Sequence, residues 1–404
     1  MASTPPVSDW TSDYDIFDSG YINDPVPVWD ELRDTCPIAH TDRWGGSWLP
    51  TKYDDVQAMS KMVPELSSTR PLVTDLAMDV DGDGGSSEAP VINAPPISAD
   101  PPLATWTRRL ILPTFAPRAV ERYRPYTEQL CHELVDSFIE NGSADAATDY
   151  AQQIPPRVIA HLLGVDPGMA DDFTDWVRGV LELGLSDPVI RAESREKIFG
   201  FLTSEVEDRM ANPRDDFLSN LLAQEHEGDS ISPNIVVGMA NLLLVAGIDT
   251  TWSSIGSALW HLGTFESDRR WLAGDDELFP SAIEELLRAY SPVTMARVAT
   301  EEVDIGDVTI CPGDKVLMNF PGANMDPKVF ENPHEVQLDR QRNRHVAFGA
   351  GIHRCAGSNL ARMEMDIALR VWMERIPEFV VSSPDEVTWA GGQVRGPRYL
   401  PVTF

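Results

Sequence analysis

Fourteen consecutive uncharged residues run from Ile235 to Ile248 and stop at Asp249, Thr250 and Thr251. The run falls short of the ~20 apolar residues that cross a bilayer, so it predicts a long helix over 233–263 enclosed by other protein. A helix with no polar face needs further elements around it. Helical periodicity supplies them near 105–113, 117–141, 156–164, 169–186, 191–211, 215–225, 281–289 and 358–375. The expected fold class is mostly α, helix-rich with a smaller β-containing region. Residues 1–100 hold short segments instead, with a hairpin expected from Trp44 to Tyr53 around Gly45-Gly46. A flexible acidic loop is expected near 75–95, its centre Asp79-Val80-Asp81-Gly82-Asp83-Gly84-Gly85-Ser86. That stretch imitates a calcium loop, but the twelfth position from Asp79 is Pro90 where a bidentate Glu belongs.

A chain of 404 residues carries a prior of two or three domains at roughly 150 residues each. No fixed-period repeat is visible, and the Pro- and Gly-containing segment from Asp304 to Pro333 sits between helices. One domain over 1–404 is therefore expected, with an N-terminal region over 1–100 and a helix-rich core over 101–404. Against 32 Lys and Arg stand 64 Asp and Glu, a net charge of −32. Nucleic acid and anionic membranes are excluded as partners, because both are bound chiefly by cationic side chains. The N-terminus has neither the basic start nor the apolar stretch of a secretory signal, which places the chain in the cytoplasm. Cys36, Cys131, Cys311 and Cys355 form no Cys-x-x-Cys pair and read as reduced thiols.

One of these cysteines stands apart. It lies in Phe348-Gly349-Ala350-Gly351-Ile352-His353-Arg354-Cys355-Ala356-Gly357, which runs directly into the helical pattern beginning at Ser358. Glycines at 349, 351 and 357 allow unusual dihedrals and close approach of a flat ligand. Cys355 falls at a helix N-terminus, where the dipole favours a thiolate, a strong soft-metal ligand. A lone cysteine in a Gly-rich turn is ordinarily structural, but three glycines, an aromatic and a histidine at these offsets argue otherwise. Zinc through His345, His353 and Cys355 is an alternative that lacks a fourth ligand at metal-finger spacing.

The decapeptide resembles the haem-binding loop of the cytochrome P450 family, Phe-x-x-Gly-x-His/Arg-x-Cys-x-Gly, and further matches follow in the expected order from about Asp100 to Phe404. The resemblance implies a cytochrome P450 fold that binds haem b, with Cys355 as the iron ligand, Phe348, Gly349, His353 and Gly357 around it, and O2 as co-substrate. Glu285 and Arg288, three apart on one helix face, would by themselves be a solvated pair; the resemblance makes them a structural ion network completed by Arg340. Ala246-Gly247-Ile248-Asp249-Thr250 resembles the oxygen-activation segment, in which small residues open the helix beside the cofactor and Asp249 and Thr250 deliver protons. A mid-helix Thr can simply bond back to a carbonyl one turn earlier, but a buried carboxylate is expensive without a role or partner. Arg108, Arg297 and His353 are implied to hold the haem propionates. Leu103-Ala104 departs from the Glu-His of many bacterial relatives, leaving Trp106 or a water to compensate, and His345 reads as an ordinary surface or loop histidine near the haem edge.

Thiolate ligation implies activation of oxygen rather than its carriage: a monooxygenase that inserts one oxygen atom into substrate while the other leaves as water. The sequence contains no Gly-x-Gly-x-x-Gly and no cysteine cluster, so electrons are expected from a separate ferredoxin and its reductase. An acidic ferredoxin needs a local positive patch on so acidic a chain, and Arg108, Arg109, Arg342, Arg344, Arg354 and Arg362 border the face behind Cys355, with Arg109, Arg344 and Arg354 as its contact residues. Leu242, Val245, Ala246, Val293, Thr294, Met295 and Val394 are implied to line the distal pocket. Their small to medium size favours a small hydrophobic substrate, a terpenoid or alkyl-aromatic, acted on by a monomer. The alternatives are a larger natural product or a steroid, or a peroxide-driven haem-thiolate hydroxylase, a group that lacks the acid–alcohol pair.

Overall fold

The structure, a computed structural model, describes residues 5–74 and 93–404. Helices α1 (Leu103–Ile111), α2 (Ala170–Leu181), α3 (Pro188–Ala211), α4 (Pro233–Thr264), α5 (Phe279–Ala289) and α6 (Ser358–Arg375) make up most of the core. At 32 residues α4 is far longer than the uncharged run that predicts it, and Asp249 is its one Asp, Glu, Lys or Arg. By length and composition it could cross a membrane, with a mean hydropathy of 1.6, yet 67% of that apolar window is buried in the protein. Burial, not length, identifies it as a core helix. It packs against α2, α3, α6 and the helix Ile154–Leu163.

The expected helix over 117–141 is broken. A short helix at Pro117–Val120 and a tight turn precede Arg124–Phe138, because Pro125 has no N–H to donate inside a continuous helix. The helix Glu266–Gly274 carries no apolar run and escapes the periodicity argument. The expected N-terminal hairpin is displaced: β1 (Ile38–Thr41) pairs antiparallel with β2 (Ser47–Pro50), so Gly45 and Gly46, with φ of 92° and 82°, form the turn and the first strand lies before Trp44. The acidic stretch from Asp79 to Ser86 lies outside the described residues.

β1 and β2 belong to a five-stranded sheet with β3 (Leu66–Ser67), β4 (Met295–Ala299) and β5 (Lys315–Met318), ordered β1-β2-β5-β4-β3. A separate hairpin, β6 (Thr388–Ala390) with β7 (Gly396–Tyr399), lies along α4. A Cβ on Gly396 would fall 2.3 Å from the Ser253 Cβ, so the hairpin seats against α4 at a distance only glycine permits.

On α5, Glu285 and Arg288 are both fully buried and pair through two hydrogen bonds of 2.8 Å. Glu285 also accepts the Gln337 N–H at 2.9 Å, Arg340 Nε at 2.9 Å and Asn343 Nδ2 at 3.1 Å, while Arg288 donates to the carbonyls of Asn324, Pro333 and Glu335. The pair is thus an internal brace that ties the 324–343 segment to α5, not a solvated face. Removing one member of such a pair strands a buried charge, at about 3–5 kcal/mol.

Candidate active site

The loop 348–357 closes on itself through the Cys355 N–H, which donates to the Phe348 carbonyl at 2.8 Å. Gly349 and Gly351 have φ of 71° and 70°, and a Cβ on Gly351 would lie 2.3 Å from the Ser60 carbonyl oxygen. Both need glycine. Gly357 does not need it for its dihedrals, since its φ is −83°; a Cβ there would stand 3.9 Å from Cys355 Sγ, so its small size keeps the space beside the sulfur open. Cys355 is accessible by surface area, yet protein surrounds it closely enough that burial raises the thiol pKa. The Gly357 N–H and the charges of Arg108, Arg354 and Arg362 act in the opposite direction, toward the thiolate.

Along α4 most residues from Val236 to Gly263 are buried, but Leu242, Ala246 and Thr250 are partly accessible. Their spacing of four places them on one face, which is less covered than most of the helix. Gly247 does not break the helix; a Cβ there would lie 2.6 Å from Ile159 Cδ1, so its role is close packing of the neighbouring helix. Thr250 Oγ1 donates to the Ala246 carbonyl at 2.8 Å. Asp249 points elsewhere, accepting Arg398 Nη2 at 2.8 Å and Ser253 Oγ at 3.1 Å through Oδ1. Of the other implied pocket residues, Val293 and Met295 are partly accessible, while Val245, Thr294 and Val394 are buried, Val394 in a backbone bridge to Val293.

Arg108 on α1, Arg297 on β4 and His353 converge. Burial lowers the Arg297 pKa to about 10, and burial together with Arg297 and Arg108 lowers that of His353 to about 4. His353 Nε2 is buried without a hydrogen-bond partner. Trp106, expected to compensate for Ala104, instead stacks on the His226 ring at 4.4 Å, and Ala104 is buried.

Comparison with known proteins decides what this arrangement is. Residues 277–382 match the sequence profile of the family Cytochrome P450. The chain is 33% identical over 386 residues to mycinamicin IV hydroxylase/epoxidase of Micromonospora griseorubida, covering 93% of this chain and 94% of that one. It is 32% identical to 6-deoxyerythronolide B hydroxylase of Saccharopolyspora erythraea, covering 92% and 94%. The solved structure of the bacillaene polyketide synthase cytochrome P450 PksS of Bacillus subtilis 168 superposes with a TM-score of 0.85 at 30% identity, over 96% of this chain and 99% of that one.

The chain belongs to the cytochrome P450 family. It is a monooxygenase whose cofactor is haem b and whose co-substrate is O2. The residues present fit that cofactor: an enclosed, accessible thiol at a helix start, and two guanidiniums beside an unpartnered buried imidazole nitrogen, a donor set that suits carboxylates. Among the described residues no cluster of His, Cys, Asp and Glu suits a separate metal ion, so zinc through His345, His353 and Cys355 has no geometric support.

His345 is not a surface residue. Its side chain is only 3% exposed, its Nδ1 accepts the Ala347 N–H at 3.2 Å, and its Nε2 therefore donates to Glu284 at 3.0 Å. Glu284 also accepts Arg362 Nε at 2.5 Å and Nη2 at 2.8 Å, and the Arg362 guanidinium lies over the Phe348 ring at 4.4 Å. One carboxylate thus ties both ends of the P450 cysteine loop to α5. Arg362 is consumed in this clamp, whereas Arg109, Arg342, Arg344 and Arg354 are exposed. Sequence reading missed Glu284, whose signal was its position beside Glu285, and missed Arg398, for which no local signal exists.

Burial would raise the Glu284 pKa, but the Arg362 hydrogen bonds and His345 outweigh it and hold the pKa at about 2. A folded-state value below the ordinary 4.5 stabilises the fold above that pH, and the contribution is lost as pH falls toward 2. Glu284→Gln is therefore expected to lower the denaturation midpoint at neutral pH, with the variant and native curves converging on acidification. A gap that stays constant throughout that range would contradict the clamp.

Proposed function

We propose that this cytochrome P450 hydroxylates or epoxidises a macrolide- or polyketide-sized natural product. The observation that carries the reading is the similarity of nearly the whole chain to hydroxylases whose names give mycinamicin IV and 6-deoxyerythronolide B as substrates. The terpenoid or alkyl-aromatic expected from the size of the pocket residues finds no such support and gives way to the larger alternative. Leu242, Ala246, Val293 and Met295, the implied pocket residues that stay partly accessible, are all apolar, which suits an aglycone held by shape.

When bound, haem b supplies the oxidant derived from O2. Cys355 would supply the thiolate ligand, and Arg108, Arg297 and His353 would hold the propionates. Because the Thr250 hydroxyl spends its proton on the Ala246 carbonyl, its oxygen is open to accept from a water and to hold that water in place. Asp249 takes up protons and passes them toward Thr250.

Electrons come from a ferredoxin that docks on Arg109, Arg344 and Arg354. These arginines are exposed, and so are two apolar side chains close to them in sequence, Leu112 at 40% and Ile352 at 44%, on an acidic molecule. Charge reversal by Arg109→Glu or Arg354→Glu is expected to slow reduction by a ferredoxin, more so at low salt, with substrate affinity unchanged; equal reduction rates would refute this face.

Two experiments test the rest. Titration of the ferric protein with a macrolactone aglycone, a macrolide glycoside, a steroid and a monoterpene should give the low-to-high-spin Soret shift at the lowest concentration with a macrolide-type compound; tightest binding of the monoterpene would restore the small-substrate reading. Thr250→Ala is expected to divert reductant from product to hydrogen peroxide, and an unchanged product yield per reductant consumed would remove Thr250 from the proton path.

A further inference from the structure

Asp249 is held by one oxygen only. Its Oδ1 accepts both Arg398 Nη2 and Ser253 Oγ, while Oδ2 is buried without a hydrogen-bond partner among the described residues. A purely structural pair would engage both oxygens with the parallel N–H groups of the guanidinium, as Glu285 does with Arg288. Arg398 is occupied differently. Its Nε donates to Glu182 Oε2 at 2.8 Å, its Nη1 to Ser253 Oγ at 3.1 Å, and its face covers the Trp252 ring at 4.2 Å. Glu182, the C-cap of α2, accepts Arg178 Nη2 at 2.9 Å and Nε at 3.2 Å. Two carboxyl groups and two guanidiniums thus form a quartet that joins α2, α4 and β7.

The backbone fixes where Arg398 stands. Gly396 and Pro397 seat β7 on α4 at Ser253 and Gly256, one and two turns beyond Asp249, and a side chain at 396 would collide with Ser253. The hairpin backbone from which Arg398 projects is thereby fixed against α4.

We propose that Arg398 is a positioning residue for proton delivery, clamping Asp249 by Oδ1 and leaving Oδ2 as the atom that takes up and releases the proton. The proposal rests on the reading of Asp249 as the proton-delivery acid. The charged groups facing Asp249 are Arg398 from β7 and Glu182 and Arg178 from the end of α2. Burial raises the Asp249 pKa, Arg398 is the strongest influence against that rise, Glu182 adds to it and Arg178 opposes it. Arg398 so opposes the permanent protonation that burial favours, as a group that must both accept and donate a proton requires. Each transfer is conservative: one proton arrives at Oδ2 and the same atom releases it.

The test is an infrared titration of the haem-loaded protein, following the carboxylic-acid carbonyl band that Asp249→Asn abolishes, with turnover against pH measured in parallel. Arg398→Gln is expected to move the titration of that band upward by on the order of one pH unit or more, and the acid limb of turnover by a similar amount. Arg398→Lys keeps a positive charge but not the three-way contact, so it should move both less. The Soret band and far-ultraviolet dichroism report folding, and if Arg398→Gln fails to fold, the smaller shift in Arg398→Lys decides. A band that titrates as in the native protein in the folded variant overturns the positioning role, whatever turnover does. A band that moves while Asp249→Asn turns over at the native rate overturns the reading of Asp249 itself, and the proposal falls with it.

Discussion

An apolar helix of 32 residues with one carboxylate in its middle has to be covered on every side, and the rest of this molecule is arranged by that requirement. The long α2, α3 and α6 and the hairpin β6–β7 all pack on it. Where cover is complete the side chains are core; where it is interrupted, at Leu242, Ala246 and Thr250, the helix presents its small and polar residues to the site. The carboxylate is the costly exception. Burying Asp249 is tolerated because a guanidinium from a hairpin near the C-terminus arrives to meet it.

A second device serves the same end on the cysteine side. Two adjacent acids on α5 face different ways: Glu285 braces the 324–343 segment through Arg288 and Arg340, and Glu284 clamps His345 and Arg362 on either side of the cysteine loop. The loop packs Phe348 and Ala356 on the core and has two backbone positions that only glycine tolerates. The charged anchors add to that packing at the loop's two flanks, and they sit on a helix whose other face is buried in the core.

The mostly α architecture, the extents of α4, α5 and α6 to within a few residues, and the loop that carries Cys355 were legible because each is written in a local pattern: periodicity, an uncharged run, glycines at fixed offsets. The break at Pro125 is equally local, since proline has no N–H to donate within a helix. The helix Glu266–Gly274 was not legible, since its sequence is polar and contacts with the C-terminal segment, including Arg269 with Glu378, support it. His345 was misplaced for a similar reason. Nothing near it in the chain shows that an acid 61 residues away encloses it.

The sequence by itself determined the family and the cofactor and pointed to a sulfur ligand for it, because that chemistry needs particular residue types a few positions apart. Only the tertiary structure decided which charges are spent on one another and which remain for partners. Asp249 and Arg398 stand 149 residues apart, and Glu182 and Arg398 stand 216 apart. Coulombic pairing acts through space with no memory of chain order, so no spacing rule could have joined them.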